Sequence, residues 1–158
     1  REQPQIKFVL LGAGPEKSKL MEVKKEKSLE NVFFMDAVSK LEMKSVLASV
    51  DATIIPLRKL DLFLGAIPSK IFENLAMKVP VILGVDGEAK ELFVENGKCA
   101  LFFEPENESE LKNQVMKLFM DKDLRDSLSQ NGLEYIRDNF DRNNIADKFW
   151  NFLLNNYN

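Results

Sequence analysis

Gly65-Ala66-Ile67-Pro68-Ser69-Lys70-Ile71-Phe72-Glu73-Asn74-Leu75-Ala76-Met77-Lys78-Val79-Pro80-Val81-Ile82 is the stretch whose reading decides the fold. A glycine-bearing loop leads to Ser69, where a helix opens with Ile71, Phe72, Leu75 and Ala76 on its inner side. Val79 to Leu83 follows as an apolar strand, with Pro80 at its start rather than its centre. A helix running into an apolar strand with almost no connection is one half of a βαβ unit.

The same alternation continues in both directions. Upstream, Ala52–Pro56, Asn31–Met35 and Ile6–Leu11 read as short apolar strands. Between them, Glu16–Lys27 is a charged helical run with Leu20 and Val23 on one face, and Ser39 opens a helix with Glu42 placed as a capping box. Downstream, Glu88–Glu95 is a short helix ended by Asn96-Gly97, and Ala100–Phe103 is a fifth strand. After Pro105 the chain reads as helical to its end, in three segments broken near Asp121 and Asn139. Strands alternating with helices predict an α/β fold. It is a doubly wound, Rossmann-like parallel sheet with helices on both faces and a helical C-terminal tail. The 158 residues fit a single domain. The tail's Phe149, Trp150, Phe152 and Leu153 are expected to pack in the core or between domains, not to form a ligand platform.

Composition narrows the function. The net charge is −3 with both signs interspersed, so no nucleic-acid partner is expected. The chain has no histidine, which removes a Ser-His-Asp triad and a His-liganded metal from within it. No acidic cluster has metal-ligand spacing, so no metal is expected. The single cysteine, Cys99, lies in an apolar stretch and reads as a buried, inert thiol. No apolar run approaches the ~20 residues of a membrane span. The opening Arg1-Glu2-Gln3-Pro4-Gln5 has no signal-peptide pattern, so an intracellular, soluble domain is expected.

In an open α/β sheet, ligands sit beyond the carboxyl ends of the strands. Three loops there carry suggestive chemistry. Gly12-Ala13-Gly14-Pro15 allows close backbone approach to a ligand before a helix N-terminus, or is simply a tight strand-to-helix turn. Asp36-Ala37-Val38-Ser39 offers backbone groups that can read the edge of a base, or is a plain connection. In the third loop, Gly65 precedes a helix start that favours a phosphate, Lys70 adds a positive charge, and Glu73 sits one turn in. A carboxylate there accepts from a ribose diol. It equally balances a helix dipole.

These pieces, in order along nearly the whole chain, resemble the C-terminal domain of group 1 glycosyltransferases, family 4 of the retaining GT-B enzymes. The matching segments are Val9–Pro15, Asn31–Phe34, Ala52–Pro56, Pro68–Ala76, Val79–Ile82 and Glu91–Gly97. The resemblance implies a domain that holds a nucleoside diphosphate sugar, of uridine type, for transfer to a cell-surface glycan or lipid-linked acceptor. It requires no separate cofactor. By resemblance, Glu73 binds the ribose hydroxyls, and Gly65, Ala66, Ser69, Lys70, Gly14 and Ala37 complete the donor site. The family's first glutamate falls at Gly65, eight positions before Glu73, so the grip on the sugar differs here.

The family also carries a strand and helix before Val9–Leu11, and an N-terminal acceptor domain. The chain therefore reads as part of a longer cytoplasmic enzyme, able to sit at the inner face of the membrane through that other domain, and inactive alone. Without the preceding strand, Ile6–Leu11 and Ala52–Ile55 are expected either to pair directly or to be covered by a second copy of the chain, giving a homodimer. Two other readings stay open: a NAD-binding Rossmann domain using Gly12, Gly14 and Asp36, with Lys17 where a third glycine belongs, and a receiver-like binding module.

Overall fold

A computed structural model describes residues 3–157; Arg1, Glu2 and Asn158 lie outside the described residues. The elements follow the expected alternation. They run β1 (Phe8–Leu11), α1 (Lys17–Glu26), β2 (Val32–Met35), α2 (Lys40–Leu47), β3 (Thr53–Pro56), α3 (Lys70–Ala76), β4 (Val81–Gly84), α4 (Glu88–Lys90) and β5 (Ala100–Phe102). Three helices close the chain: α5 (Glu108–Met120), α6 (Lys122–Phe140) and α7 (Arg142–Tyr157). A single 3-10 turn at Asp61–Phe63 and a π-helical stretch at Glu91–Asn96 are additions that the sequence pattern did not signal.

All pairing is parallel, but the strands form two sheets rather than one. β1 pairs only with β2, and the second sheet has the order β3-β4-β5. Direct pairing of β1 with β3, one of the two expected outcomes, is not among the strand pairings of the described residues. The chain divides between Val46 and Leu47 into two compact units.

In the first unit, α1 follows a turn after β1, and α2 opens with the predicted capping box. Glu42 Oε2 accepts from the Ser39 N–H at 2.9 Å, and Ser39 Oγ accepts from the Glu42 N–H at 3.3 Å. No residue of 3–46 is buried.

The second unit holds the core. Every residue of β4 is buried, as a central parallel strand covered on both faces requires. On one side Ile55, Ile71, Leu75, Val81 and Phe93 form a cluster; on the other, Ile82, Phe103, Leu118 and Leu128. α5 and α6 start with side-chain caps: Asn107 accepts from the Glu110 N–H and Asp121 from the Leu124 N–H. The break expected near Asp121 thus coincides with the cap of α6. The break expected at Asn139 falls at Asp141, whose carboxylate accepts from the N–H groups of Asn143 and Asn144.

Of the two places expected for the tail's aromatics, the core or a contact between domains, the core is not where they lie. Phe149 and Trp150 are each 61% exposed and Phe152 58%. The two core clusters are already closed by α3, the π-helical stretch, α5 and α6, leaving α7's aromatics outside them.

Candidate functional site

The loop between β3 and α3 is built step by step. The Leu57 N–H continues the β3 ladder to Gly84 O at 2.9 Å. The chain then tightens through the turn at Asp61–Phe63, and the Ala66 N–H bonds back to Phe63 O at 3.0 Å. The Leu64 carbonyl accepts from the Glu88 N–H at 2.8 Å, which ties this loop to the β4–α4 connection. At the end of the loop, the amides of Ile71 and Phe72 turn back on Pro68 O and Ser69 O, at 3.0 and 3.1 Å. The N–H groups of Ser69 and Lys70 have no backbone acceptor among the described residues. Ser69 itself takes a helical conformation and makes no side-chain cap.

α3 is anchored from behind. Ile71 and Leu75 are fully buried. Phe72 meets Phe93 and Phe140 edge-on, with ring centroids 5.5 and 5.1 Å apart. Asn74, the one buried polar residue among the described residues, donates from Nδ2 to Thr53 Oγ1 on β3 at 2.8 Å. On the outer side Lys70 and Glu73 are exposed, one turn apart. Neither has an ion-pair or hydrogen-bond partner among the described side chains. Gly65 and Ala66 precede them in the same loop, and a Cβ added to Gly65 would meet nothing within 4 Å. Five expected site residues, Gly65, Ala66, Ser69, Lys70 and Glu73, therefore share one loop-and-helix segment.

Gly14 and Ala37 belong to the first unit, at the carboxyl ends of β1 and β2. Both are exposed. Gly12 takes φ +140°, where L side chains are rare, and its N–H bonds to Met35 O at 3.1 Å. Gly14 O accepts from the Lys17 N–H at 3.1 Å, closing the turn into α1. The Lys17 ammonium then reaches Asp36 Oδ1 at 2.6 Å and Met35 O at 3.3 Å. That hydrogen bond and its charge hold the Asp36 carboxyl below its ordinary range. Lys17 stands where a dinucleotide fingerprint needs glycine, and it occupies the acid a NAD ribose would need.

One feature escaped the sequence reading. Charged residues follow each strand of the second sheet: Arg58 and Lys59 after β3, Asp86 after β4, Glu104 after β5. They rim a cavity of about 200 Å³. The recurrence of charge directly after three apolar strands was the signal available. Elsewhere, Cys99 is fully buried with its thiol on Phe93 O at 3.2 Å, and burial pushes it up to about 12. It is the inert thiol expected. No group of residues able to hold a metal is found among the described residues. None of their helices is long and apolar enough to cross a membrane.

Comparison with known proteins bears on the fold and the family. Solved structures share the fold at low identity. Sucrose-phosphate synthase from Thermosynechococcus elongatus is 18% identical over 97% of this chain and 40% of that one, with a TM-score of 0.77. Anabaena HepE, solved in complex with UDP-glucose, is 22% identical over 96% of this chain and 42% of that one, at 0.76. The C-terminal domain of a group 1 glycosyl transferase, LpcC from Francisella tularensis, is 21% identical over 86% of this chain and 70% of that one, at 0.71. The chain thus spans about two fifths of the synthase and of HepE. No curated protein matches it significantly. The profile of the family described as "Glycosyl transferases group 1" matches residues 1–135, and the chain belongs to that family.

Proposed function

We propose that residues 1–158 work as one nucleotide-sugar-binding domain, holding a nucleoside diphosphate sugar of uridine type for transfer with retention at the anomeric carbon. The observation that carries this reading is Glu73. It is an unpaired carboxylate on the outer face of a helix whose inner face is fixed by Ile71, Leu75 and Asn74. A carboxylate held this way accepts from two vicinal ribose hydroxyls without first breaking a protein contact. Lys70 and the free N–H groups of Ser69 and Lys70 supply positive potential for the diphosphate. Gly65 and Ala66 lie open beside them for the sugar, and Gly14 and Ala37 are assigned to the same donor.

In the reaction the bond between the anomeric carbon and the diphosphate oxygen breaks, and a bond to an acceptor hydroxyl oxygen forms as that hydroxyl loses its proton. The chain's contribution is to orient the donor and stabilise charge on the departing diphosphate. The acceptor, a cell-surface glycan or lipid-linked glycan, would be held by an N-terminal acceptor domain of the same enzyme, which works in the cytoplasm and peripherally at the inner membrane face. The chain alone is then expected to bind donor and turn over little or nothing. A homodimer covering the unpaired edges of β1 and β3 remains part of this proposal, and light scattering tests it. UDP-glucose bound to HepE supports the donor class.

The deciding experiment is a thermal-shift panel of uridine, guanosine and adenosine diphosphates and their sugars, with NADH beside them. A ligand that binds the folded state raises the melting point by mass action. A shift with uridine compounds is expected. A shift with NADH alone would overturn the reading.

A further inference from the structure

Lys17 and Asp36, both in the first unit, form an ion pair that does little for stability. The Asp36 side chain is 96% exposed, and pairs this open to water contribute little to folding. Lys17 is also the first residue of α1, where a cation opposes the helix dipole, and no acid stands in that first turn to offset it. What the pair does is geometric. Lys17 Nζ reaches Asp36 Oδ1 at 2.6 Å and Met35 O at 3.3 Å. Met35 O also accepts from the Gly12 N–H at 3.1 Å, so both of its lone pairs are used and the ladder between β1 and β2 ends there. Beyond it, the backbone N–H and C=O groups of Asp36, Ala37 and Val38 have no partner among the described residues. Ser39 fastens the far end: its N–H donates to Glu42 Oε2 and its Oγ accepts from the Glu42 N–H. Three residues with unpaired backbone groups are thus held at both ends, and Ala37 at their centre is exposed.

We propose that Lys17 is a positioning residue for recognition of the nucleobase: its bridge to Asp36 and Met35 holds Ala37 where that residue's N–H and C=O meet the edge of a uracil. That edge carries the N3–H donor beside a carbonyl acceptor, and the C=O and N–H of one residue complement the two. The methyl side chain of Ala37 leaves the approach open. A backbone edge recognises a base efficiently only where the chain is already fixed, because a loop that orders on binding takes the entropy of ordering out of the affinity. Lys17 and the Ser39–Glu42 box remove that cost before the nucleotide arrives. A direct phosphate contact fits Lys17 less well, since its ammonium is committed to two acceptors and would first have to leave them. Lys17 has this role only within the donor-domain reading above, which it extends to a residue that acts through its neighbours.

The test uses the whole chain and the variants Lys17→Met, Asp36→Asn, the two combined, and Lys17→Arg. Amide exchange along β1 and β2 checks that the first unit is folded in each. UDP, GDP and inorganic pyrophosphate are titrated calorimetrically. Lys17→Met and Asp36→Asn are each expected to lower UDP affinity about tenfold, the equivalent of one hydrogen bond to the base. They should also narrow the preference for UDP over GDP and leave pyrophosphate unchanged. The combined variant should lose no more than either single one, because both break the same bridge. Lys17→Arg, which keeps the cation, should retain most of the preference. If Lys17→Met does not fold, Asp36→Asn, at an exposed side chain, carries the test alone. UDP affinity and the UDP-to-GDP ratio unchanged in folded variants would overturn the proposal. So would UDP and pyrophosphate weakening together, which would make Lys17 a phosphate ligand. Failure of wild-type protein to bind any of the nucleotides would instead sink the donor-domain reading.

Discussion

Gly87 lies so close to Leu64 that a Cβ at position 87 would stand 2.1 Å from the Leu64 carbonyl oxygen. The same carbonyl accepts the Glu88 N–H. This contact fastens the loop carrying Gly65 and Ala66 to the connection carrying Asp86. It joins the expected donor loop to the edge of the cavity at the ends of β3–β5.

Gly87→Ala is accordingly expected to destabilise the protein by about 1–3 kcal/mol, the usual cost of a strained backbone position. Its φ of +73° already disfavours a side chain, and the obstructing atom is backbone, which has little freedom to yield. Gly65→Ala serves as the contrast. Nothing stands within 4 Å of a Cβ there, so a change within about 0.5 kcal/mol is expected. Urea unfolding of both variants measures the difference; equal effects would refute it.

Glu73→Ala is expected to weaken binding of the best nucleotide by about 1.5–3 kcal/mol while leaving stability unchanged. The residue is exposed and has no partner to lose. Isothermal titration is the measurement. Unaltered affinity in a folded variant removes Glu73 from the site.

Asn74→Ala should behave in the opposite way. Its side chain is buried and bonded to Thr53, so the loss falls on stability, by about 1–3 kcal/mol, because the Thr53 hydroxyl loses its partner. Chemical denaturation reads this directly, and a midpoint matching wild type would show the bond to be dispensable.

Cys99 gives a pH signature. Burial raises the folded thiol from the ordinary 9.0 to about 12. Between these values the unfolded chain has released the thiol proton while the folded chain keeps it. Stability is therefore full below about 9 and falls as pH rises from 9 toward 12. Cys99→Ala should flatten that decline relative to wild type. At pH 8 iodoacetamide should label Cys99 only on unfolding; rapid labelling of native protein would show the thiol to be accessible.

Much of the fold was legible because its signals are local. The apolar runs at Phe8–Leu11 and Val81–Gly84, the Ser39–Glu42 box and the helix break near Asp121 depend on residues a few positions apart. Glu73 one turn into a helix was legible for the same reason, whereas its lack of a partner was not. What stayed hidden depends on distant partners. The Gly87–Leu64 approach spans two connections, and the Lys17–Asp36 pair joins α1 to the end of β2. The exposure of Phe149 and Trp150 is of this kind too, since whether an apolar face is covered depends on which elements close the core first.

β4 is buried at every residue, while no residue of 3–46 is. Backbone amides in these two places should trade hydrogen for deuterium by different routes. Those of Ile82 and Leu83 wait for the whole second unit to come apart, whereas those around Gly14 and Ala37 exchange through small, frequent openings. A nucleotide that touches Gly14 or Ala37 would therefore slow exchange there directly, and one that also rests on Glu73 would slow Ile82 and Leu83 as well, by stabilising the folded second unit.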